Sequence, residues 1–423
     1  MMFRVLAPLA LIATPVAAHA QDVNQRAADI AAVMQGDASY AEVFDAAFTS
    51  QIAEPQFRAL VDQLESQHGA LVGVESIEPI SATIANVSLR FERAIAAGVF
   101  QLATDPPYRV VGYRITGVTQ TDDSAEALLA DVQALPGAAS ILVTPLNGGP
   151  PLLSYNADRP LGLGSTFKLY VLSALARQIA DGQHSWDEVV PLTVRSYPSG
   201  VTQSWPQGAP VTLHTLATLM ISISDNTATD QLIAVVGREA VEAEVVASGH
   251  ADPALLSPFM TTRELFVMKS ASAQDRVDLI ANYRAGDAAT RRQILAGLAG
   301  TQRDLAAIEA AFSGNPVAID VEWLASGQDV TNVMRRLAAL DDPTAREIMA
   351  VNPAVSPAIA SDFSYVGYKG GSEPGVLNMS WLLQDRDGAW KVATLGWNNP
   401  DATVDLPAFN ALALRAVALA GGE

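Results

Sequence analysis

The chain has 423 residues, 49% of them hydrophobic and 17% charged, with a formal net charge of −19. That length exceeds one ordinary domain and predicts two, with enough apolar side chain for a large core. The negative balance argues against nucleic acid or an anionic membrane surface as a partner, and with no cysteine there can be no disulfide.

Met1–Ala20 reads as a secretory signal, so the first predicted segment is residues 1–20. Arg4 supplies the positive start, Leu6 to Val16 the apolar run, and Ala18-His19-Ala20 the small-x-small cleavage pattern. The run is too short to span a bilayer. With no cysteine to carry a lipid, the expectation is a cleaved leader, no membrane anchor, and a periplasmic or secreted bacterial protein. Gln21 to about Gly36 is Ala/Asp/Gln-rich, a helical or loose lead-in. Tyr40–Thr49 and Glu54–Gln67 carry apolar residues at helical spacing (Val43, Phe44, Ala47; Phe57, Leu60, Val61, Leu64). Past His68-Gly69 the period changes: Ala85, Val87, Leu89 and Phe91 alternate with Asn86, Ser88, Arg90 and Glu92, which predicts a half-buried strand. Further strands are expected at Leu71–Ile77, Ile95–Leu102 and Tyr108–Ile115. Two helices followed by an antiparallel sheet make a small α+β domain over residues 21–118. Arg90, Glu92 and Arg93 read as a solvated strand face.

Residues 119–423 form the second predicted domain, entered through the polar stretch Gln120–Ser124. A helix (Ala125–Ala134) and two strands (Ala139–Thr144, Leu152–Asn156) come first. Leu163-Gly164-Ser165-Thr166-Phe167-Lys168 then opens an apolar helix running to about Ala180. At i and i+3, Ser165 and Lys168 share a helix face, which puts a hydroxyl nucleophile beside a base at a helix N-terminus. From Gly182 to Ala350 the chain is mainly helical, interrupted by the Pro/Gly/Ser-rich loop Ser196–Pro210. Within it, Ser224-Asp225-Asn226 lies between helical segments Leu216–Ile223 and Thr229–Val236. Strands return at Phe363–Tyr368, which leads into Lys369-Gly370-Gly371-Ser372. A hairpin (Val376–Gln384, Trp390–Trp397) turns at Asp385-Arg-Asp-Gly388, and Leu406–Leu419 closes the chain as a helix.

Each motif alone has an ordinary reading: an N-cap serine, a helix cap, a glycine turn. Together, in this order, with Ser224 59 residues after Ser165 (224 minus 165), they resemble the three motifs of the penicillin-recognising serine hydrolases, the class A β-lactamases and penicillin-binding proteins. The resemblance covers about Asp122 to Glu423. It implies an α/β sandwich with an all-α lobe and a catalytic helix at their interface. A small domain ahead of such a module is similar to two-domain relatives, the clavulanic-acid-cluster hydrolase and mycobacterial lipoproteins. By element order, that first domain resembles the cone-shaped nuclear-transport-factor type.

The resemblance assigns roles. Ser165 is the nucleophile and Lys168 its base, which acts only if burial and a neighbour such as Lys369 keep it neutral. Ser224 relays the proton and Asn226 holds a substrate amide. The N–H groups of Ser165 and Ser372, beside Gly370 and Gly371, form the oxyanion hole, and Lys369 attracts a substrate carboxylate. Two departures stand out. Gly370 occupies the place of a customary Thr or Ser hydroxyl, and Ser372 offers the nearest substitute. No loop glutamate follows the second motif: Glu239, Glu242 and Glu244 fall on a helix, Glu264 begins another, and the loop His250–Met260 holds only Asp252. The deacylation base is therefore expected to be missing. His68, His184, His214 and His250 are scattered, with no zinc spacing, so neither metal nor cofactor is expected. The leading reading is an exported serine hydrolase working through an acyl-enzyme on a small-molecule acyl substrate (β-lactam, ester or peptide), weak or atypical on β-lactams. A D,D-peptidase acting on peptidoglycan and a ligand-binding protein without turnover are the alternatives.

Overall fold

The computed structural model describes residues 16–121 and 124–422. The expected leader Met1–Ala20 lies largely outside the described residues, and so does part of the polar junction. By internal contacts the chain divides into two compact units, Met1–Asp123 and Ser124–Glu423.

In the first unit a long helix, Val16–Gln35, and a second, Glu54–His68, accompany four antiparallel strands. The strands Leu71–Pro79, Ile84–Phe91, Ala94–Leu102 and Val110–Gln120 pair in sequence order as a meander. Ile84–Phe91 buries Ala85, Val87, Leu89 and Phe91 on one face, the period-two pattern of a half-covered sheet. Arg90 pairs with Glu75 across the exposed side of the neighbouring strand. Tyr40–Thr49 is not one helix. It forms two single turns, Tyr40–Val43 and Ala46–Thr49, separated by extended Phe44. Packing outweighs local spacing here: Tyr40, Phe44, Phe48 and Phe57 make one aromatic cluster, with Phe44 and Phe48 stacked at 4.7 Å. Asp45 restarts the helix by accepting from Ala47 N.

The second unit is built on a five-stranded antiparallel sheet. Its order is Phe363–Glu373, Val376–Asp385, Trp390–Asn398, Ala138–Pro145 and Leu153–Tyr155. The sheet joins both ends of the unit, so the segment between Tyr155 and Phe363 forms a lobe on one face. Val376–Leu383 is buried throughout, as a strand covered on both sides must be. One face packs the closing helix Leu406–Gly421 and the helix Ala125–Gln133. The other packs a larger core with the apolar helix Lys168–Ala180 at its centre. Phe363–Glu373 is an edge strand, and its free side faces the helical lobe.

Two details differ from the sequence expectations. Ser165 does not lie in the α-helix: Gly164–Phe167 is a 3₁₀ turn and the helix proper begins at Lys168. The mainly helical stretch holds short paired strands, Val189–Pro191 with Pro210–Thr212 and Leu324–Ala325 with Leu161–Gly162. The last of these anchors the chain just ahead of Ser165, where Leu163 N donates to Trp323 O. The third motif lies inside the edge strand, which runs unbroken through Lys369-Gly370-Gly371-Ser372 to Glu373. Trp381, on the adjacent strand, is fully buried, packs against Tyr368 at 4.8 Å and donates to Pro353 O. Trp381→Ala is expected to destabilise this unit by about 3–5 kcal/mol. A urea midpoint equal to that of the unaltered protein would contradict that role.

Candidate active site

The three motifs converge. Lys168 is wholly buried, and its Nζ lies 2.7 Å from Ser224 O, 3.0 Å from Ser224 Oγ and 2.8 Å from Asn226 Oδ1. Lys369 Nζ reaches the same Ser224 Oγ at 3.2 Å and donates to Gly370 O at 2.5 Å. One hydroxyl therefore sits between two lysine nitrogens. No hydrogen bond joins Lys168 to Ser165 Oγ among the described residues.

Ser224 adopts a left-handed backbone conformation (φ 58°), unusual for a residue with a side chain. Its neighbours hold it there. Asp225, fully buried, caps the next helix by accepting from Ala228 N. It also accepts from Val201 N, Thr202 N and Thr202 Oγ1. Ser199 Oγ donates to Ser224 O, and Asn226 Nδ2 to Tyr197 O. The Pro/Gly/Ser-rich loop thus wraps the second motif. Sequence reasoning gave these loop residues no role, although their polar, glycine-containing composition is what a backbone-donating wrap requires.

Gly371 explains how the edge strand meets the Ser165 turn. A methyl group there would overlap Leu163 O and Ser165 N, and one on Gly164 would lie 2.6 Å from Ser372 N. Only bare α-carbons allow the two backbones this approach, which brings the Ser165 and Ser372 amides to one end of the cleft. Ser372 itself is exposed.

The electrostatics follow from burial. Desolvation, reinforced by the Lys369 charge, holds Lys168 well below the usual lysine range, against the opposing pull of Asp230 and Asp225. Burial alone brings Lys369 down to about 7. Burial, with the Glu264 charge nearby, pushes Asp230 up to about 6 against the hydrogen bonds it accepts from Thr262 and Arg263. A neutral Lys168 amine can donate to the two carbonyl oxygens, Ser224 O and Asn226 Oδ1, which can only accept. Its lone pair is then left for a hydroxyl.

The site opens into a cleft of about 860 Å³, lined by Ser165, Ser224, Asn226 and Lys369 through Ser372. Of the carboxylates considered from sequence, none lines it among the described residues. Glu242 pairs with Arg292, Glu244 with Arg336 and Glu264 with Arg238, while Asp252 caps its own short helix. None of the four histidines lines it either. Among the described residues no cluster of His, Asp and Glu could hold a metal ion.

Two other glutamates do reach it. Glu322 and Glu373 flank buried Lys269, whose Nζ lies 3.3 Å from Glu322 Oε2 and 2.5 Å from Glu373 Oε1. Burial opposes the Lys269 charge, but the two carboxylates outweigh it and raise its pKa; Glu322 is pushed well up by burial and by Glu373. None of the three sequence motifs points to this triad. Its signal is a lone charge in each of two apolar runs, Phe266-Val267-Met268-Lys269 and Val321-Glu322-Trp323-Leu324.

A family described as "Beta-lactamase enzyme family" matches residues 123–351, more than half of the chain. The chain belongs to that family. Its second unit accordingly has the β-lactamase-like fold, and its first unit is small and mixes helix and sheet. Among solved structures it is similar to a β-lactamase from Sphaerobacter thermophilus, at 22% identity over 70% of this chain and 96% of that one, with a TM-score of 0.48. A β-lactamase from Chitinophaga pinensis matches at 16% identity over 69% and 96%, with a TM-score of 0.48. PBP-A matches at 16% over 70% and 93%, with a TM-score of 0.46. No curated protein matches.

The Lys269 triad ties the helix Thr262–Lys269 to the end of the edge strand. Removing the cation from a buried pair leaves uncompensated carboxyls, so Lys269→Met should destabilise by about 3–5 kcal/mol, and adding Glu373→Gln should recover part of the loss. Urea unfolding of the single and double variants checks both, and a Lys269→Met midpoint matching the parent would remove the triad from the account.

Proposed function

We propose that this is an exported serine hydrolase of the class A β-lactamase type that forms an acyl-enzyme on Ser165. The observation that carries the reading is the buried, charge-depleted Lys168 amine, held against Ser224 and Asn226 at the head of the Ser165 cleft. In acylation, Ser165 Oγ bonds to the acyl carbon and its proton passes to Lys168 Nζ. The bond from the acyl carbon to the leaving oxygen or nitrogen breaks, and the proton passes from Lys168 Nζ through the Ser224 hydroxyl to that atom, returning Lys168 to its neutral form. The amides of Ser165 and Ser372 receive the developing oxyanion; one such donor typically contributes about 3 kcal/mol. Water then releases the acid and restores Ser165. Lys369 keeps the Lys168 proton affinity low and orients Ser224.

Export rests on Arg4, the Leu6–Val16 run and Ala18-His19-Ala20. The order of two helices and an antiparallel sheet supports a nuclear-transport-factor-like first domain, and with it kinship to the clavulanic-acid-cluster hydrolase and mycobacterial lipoproteins. A second reading, acylation without turnover, is favoured by one observation: both carboxylates at the cleft are engaged by Lys269.

Intact-mass spectrometry with a penicillin and a cephalosporin, followed over time, tests this reading. An increment on the parent protein that is absent from Ser165→Ala is expected. A decaying adduct marks a β-lactam hydrolase, and a persistent one the D,D-peptidase or the binding reading. Turnover retained by Ser165→Ala would end the assignment.

The acylation rate should also fall as pH is lowered into the range where Lys168 takes up a proton, because the base must be uncharged. The midpoint belongs to the Lys168–Lys369 pair, which faces Asp225 and Asp230. Lys369→Met removes a neighbouring cation, makes Lys168 easier to protonate, and should move the midpoint to higher pH. A pH–rate profile with the midpoint unmoved or lowered would exclude Lys168 as the base.

A further inference from the structure

We infer that Glu373, at the end of the edge strand, activates the water that releases the acyl group from Ser165, in place of a glutamate on the loop after the second motif. This rests on the serine-hydrolase reading and gives its second half-reaction a base.

The strand sets the geometry. Its register is unbroken from Lys369, opposite Ser380, to Glu373, opposite Val376. Side chains alternate along a strand, so Lys369, Gly371 and Glu373 share one face at steps of about 6.5 Å. Gly371 is the residue whose bare α-carbon meets the Ser165 amide. Along the strand, Lys369 therefore stands on one side of that amide and Glu373 on the other. Lys369 reaches Ser224 Oγ, where acylation is served. Glu373 lines the cleft and reaches Lys269 Nζ at 2.5 Å. Glu322 arrives beside the same turn from the helical lobe. A methyl group on Gly162, three residues ahead of Ser165, would lie 3.1 Å from Glu322 Cγ. The next residue, Trp323, accepts from Leu163 N and stacks on Phe167. The two carboxyl groups thus border the nucleophile's turn from the strand and from the lobe.

The pair is built unequally. The Glu322 side chain is 1% exposed and that of Glu373 is 6% exposed. Burial and the Glu373 charge push Glu322 well above the usual carboxyl range, against the pull of Lys269, and its proton is shared toward Glu373. The better exposed of the two therefore keeps the negative charge, which Lys269 balances. A carboxylate offers about four lone-pair sites, so contacts with Lys269 and Glu322 leave Glu373 able to accept from a water. The Lys269 contact fixes the carboxylate in place without using it up.

In deacylation, the oxygen of that water bonds to the acyl carbon while one of its protons passes to Glu373. The amides of Ser165 and Ser372 receive the oxyanion. As the adduct collapses, the bond from the acyl carbon to Ser165 Oγ breaks and the proton moves from Glu373 to Oγ. This frees the acid and restores both the serine and the carboxylate.

Single turnover of 4-nitrophenyl hexanoate by an excess of the full mature protein separates the two steps, with Ser165→Ala as the blank. Nitrophenolate release reports acylation, and the decay of the Ser165 adduct, read by quenched intact mass, reports deacylation. Glu373→Gln should keep acylation within about threefold of the parent and lengthen the life of the adduct at least about a hundredfold. Glu242→Gln, in the segment after the second motif, should change neither step. Should Glu373→Gln fail to fold, Glu373→Asp keeps the charge and draws the carboxyl back by one methylene; it should slow deacylation at least about tenfold with acylation preserved. A merely structural role would slow both steps together. That result, or an unchanged adduct lifetime, would overturn the inference. A Ser165 adduct that persists on the parent protein would also overturn it, while leaving acylation by Ser165 in place. If no form shows Ser165-dependent release or an adduct, the hydrolase reading falls and takes the inference with it.

Discussion

The site depends on keeping one lysine dry. Lys168 has no exposed surface, and its amine is enclosed by the second motif, with the edge strand's Lys369 beside the same serine. An ammonium in such surroundings loses hydration that two carbonyl oxygens and a hydroxyl replace only in part, so the neutral form gains. A second lysine at the same hydroxyl adds to that bias. Asp225 and Asp230 oppose it from the other side, but burial outweighs them, and Asp230 itself is pushed toward its neutral form.

Holding this arrangement requires backbone conformations that the chain would not adopt unaided. Ser224 is left-handed, and the buried Asp225 carboxylate stabilises it by taking four donors from the surrounding loop and helix. The Ser165 turn is pinned from two directions. Trp323 O receives the Leu163 amide, and the bare α-carbon of Gly371 lets the edge strand close against the turn. Phe167 stacks on Trp323 at 3.7 Å, so the nucleophile's turn and the chain that anchors it also share a packed ring pair.

The same construction shapes the space a substrate enters. The helical lobe supplies apolar side chains to one wall, and the Lys269 triad fastens that lobe to the strand end beyond Ser372. The charge on that side of the cleft is internally compensated. On the other side Tyr368 overlies Gly370, so the strand presents a phenol where a shorter hydroxyl would otherwise project.

Much of this was legible in the sequence because the signals are local. Ser165-x-x-Lys168, Ser224-Asp225-Asn226 and Lys369-Gly370-Gly371 are each contiguous, and their order, with the helical and strand periods around them, points to the fold class. Alternation in Ala85–Phe91 gave a strand, because a sheet with one covered face needs every second residue apolar. What the sequence could not give depends on contacts between distant segments. The Tyr40–Thr49 helix is broken by an aromatic cluster that includes Phe57. Lys269, Glu322 and Glu373 are 53 and 51 residues apart (322 minus 269, 373 minus 322) and become a triad only when a helix end, a loop and a strand end meet. Gly370 reads as a missing hydroxyl in sequence, and only the tertiary structure brings the Tyr368 phenol over it. Periodicity and turn chemistry act within a few residues, so the sequence alone determined the elements and the motif order. Burial, charge state and the character of the cleft arise from segments that the chain brings together on folding, and only the tertiary structure decided those.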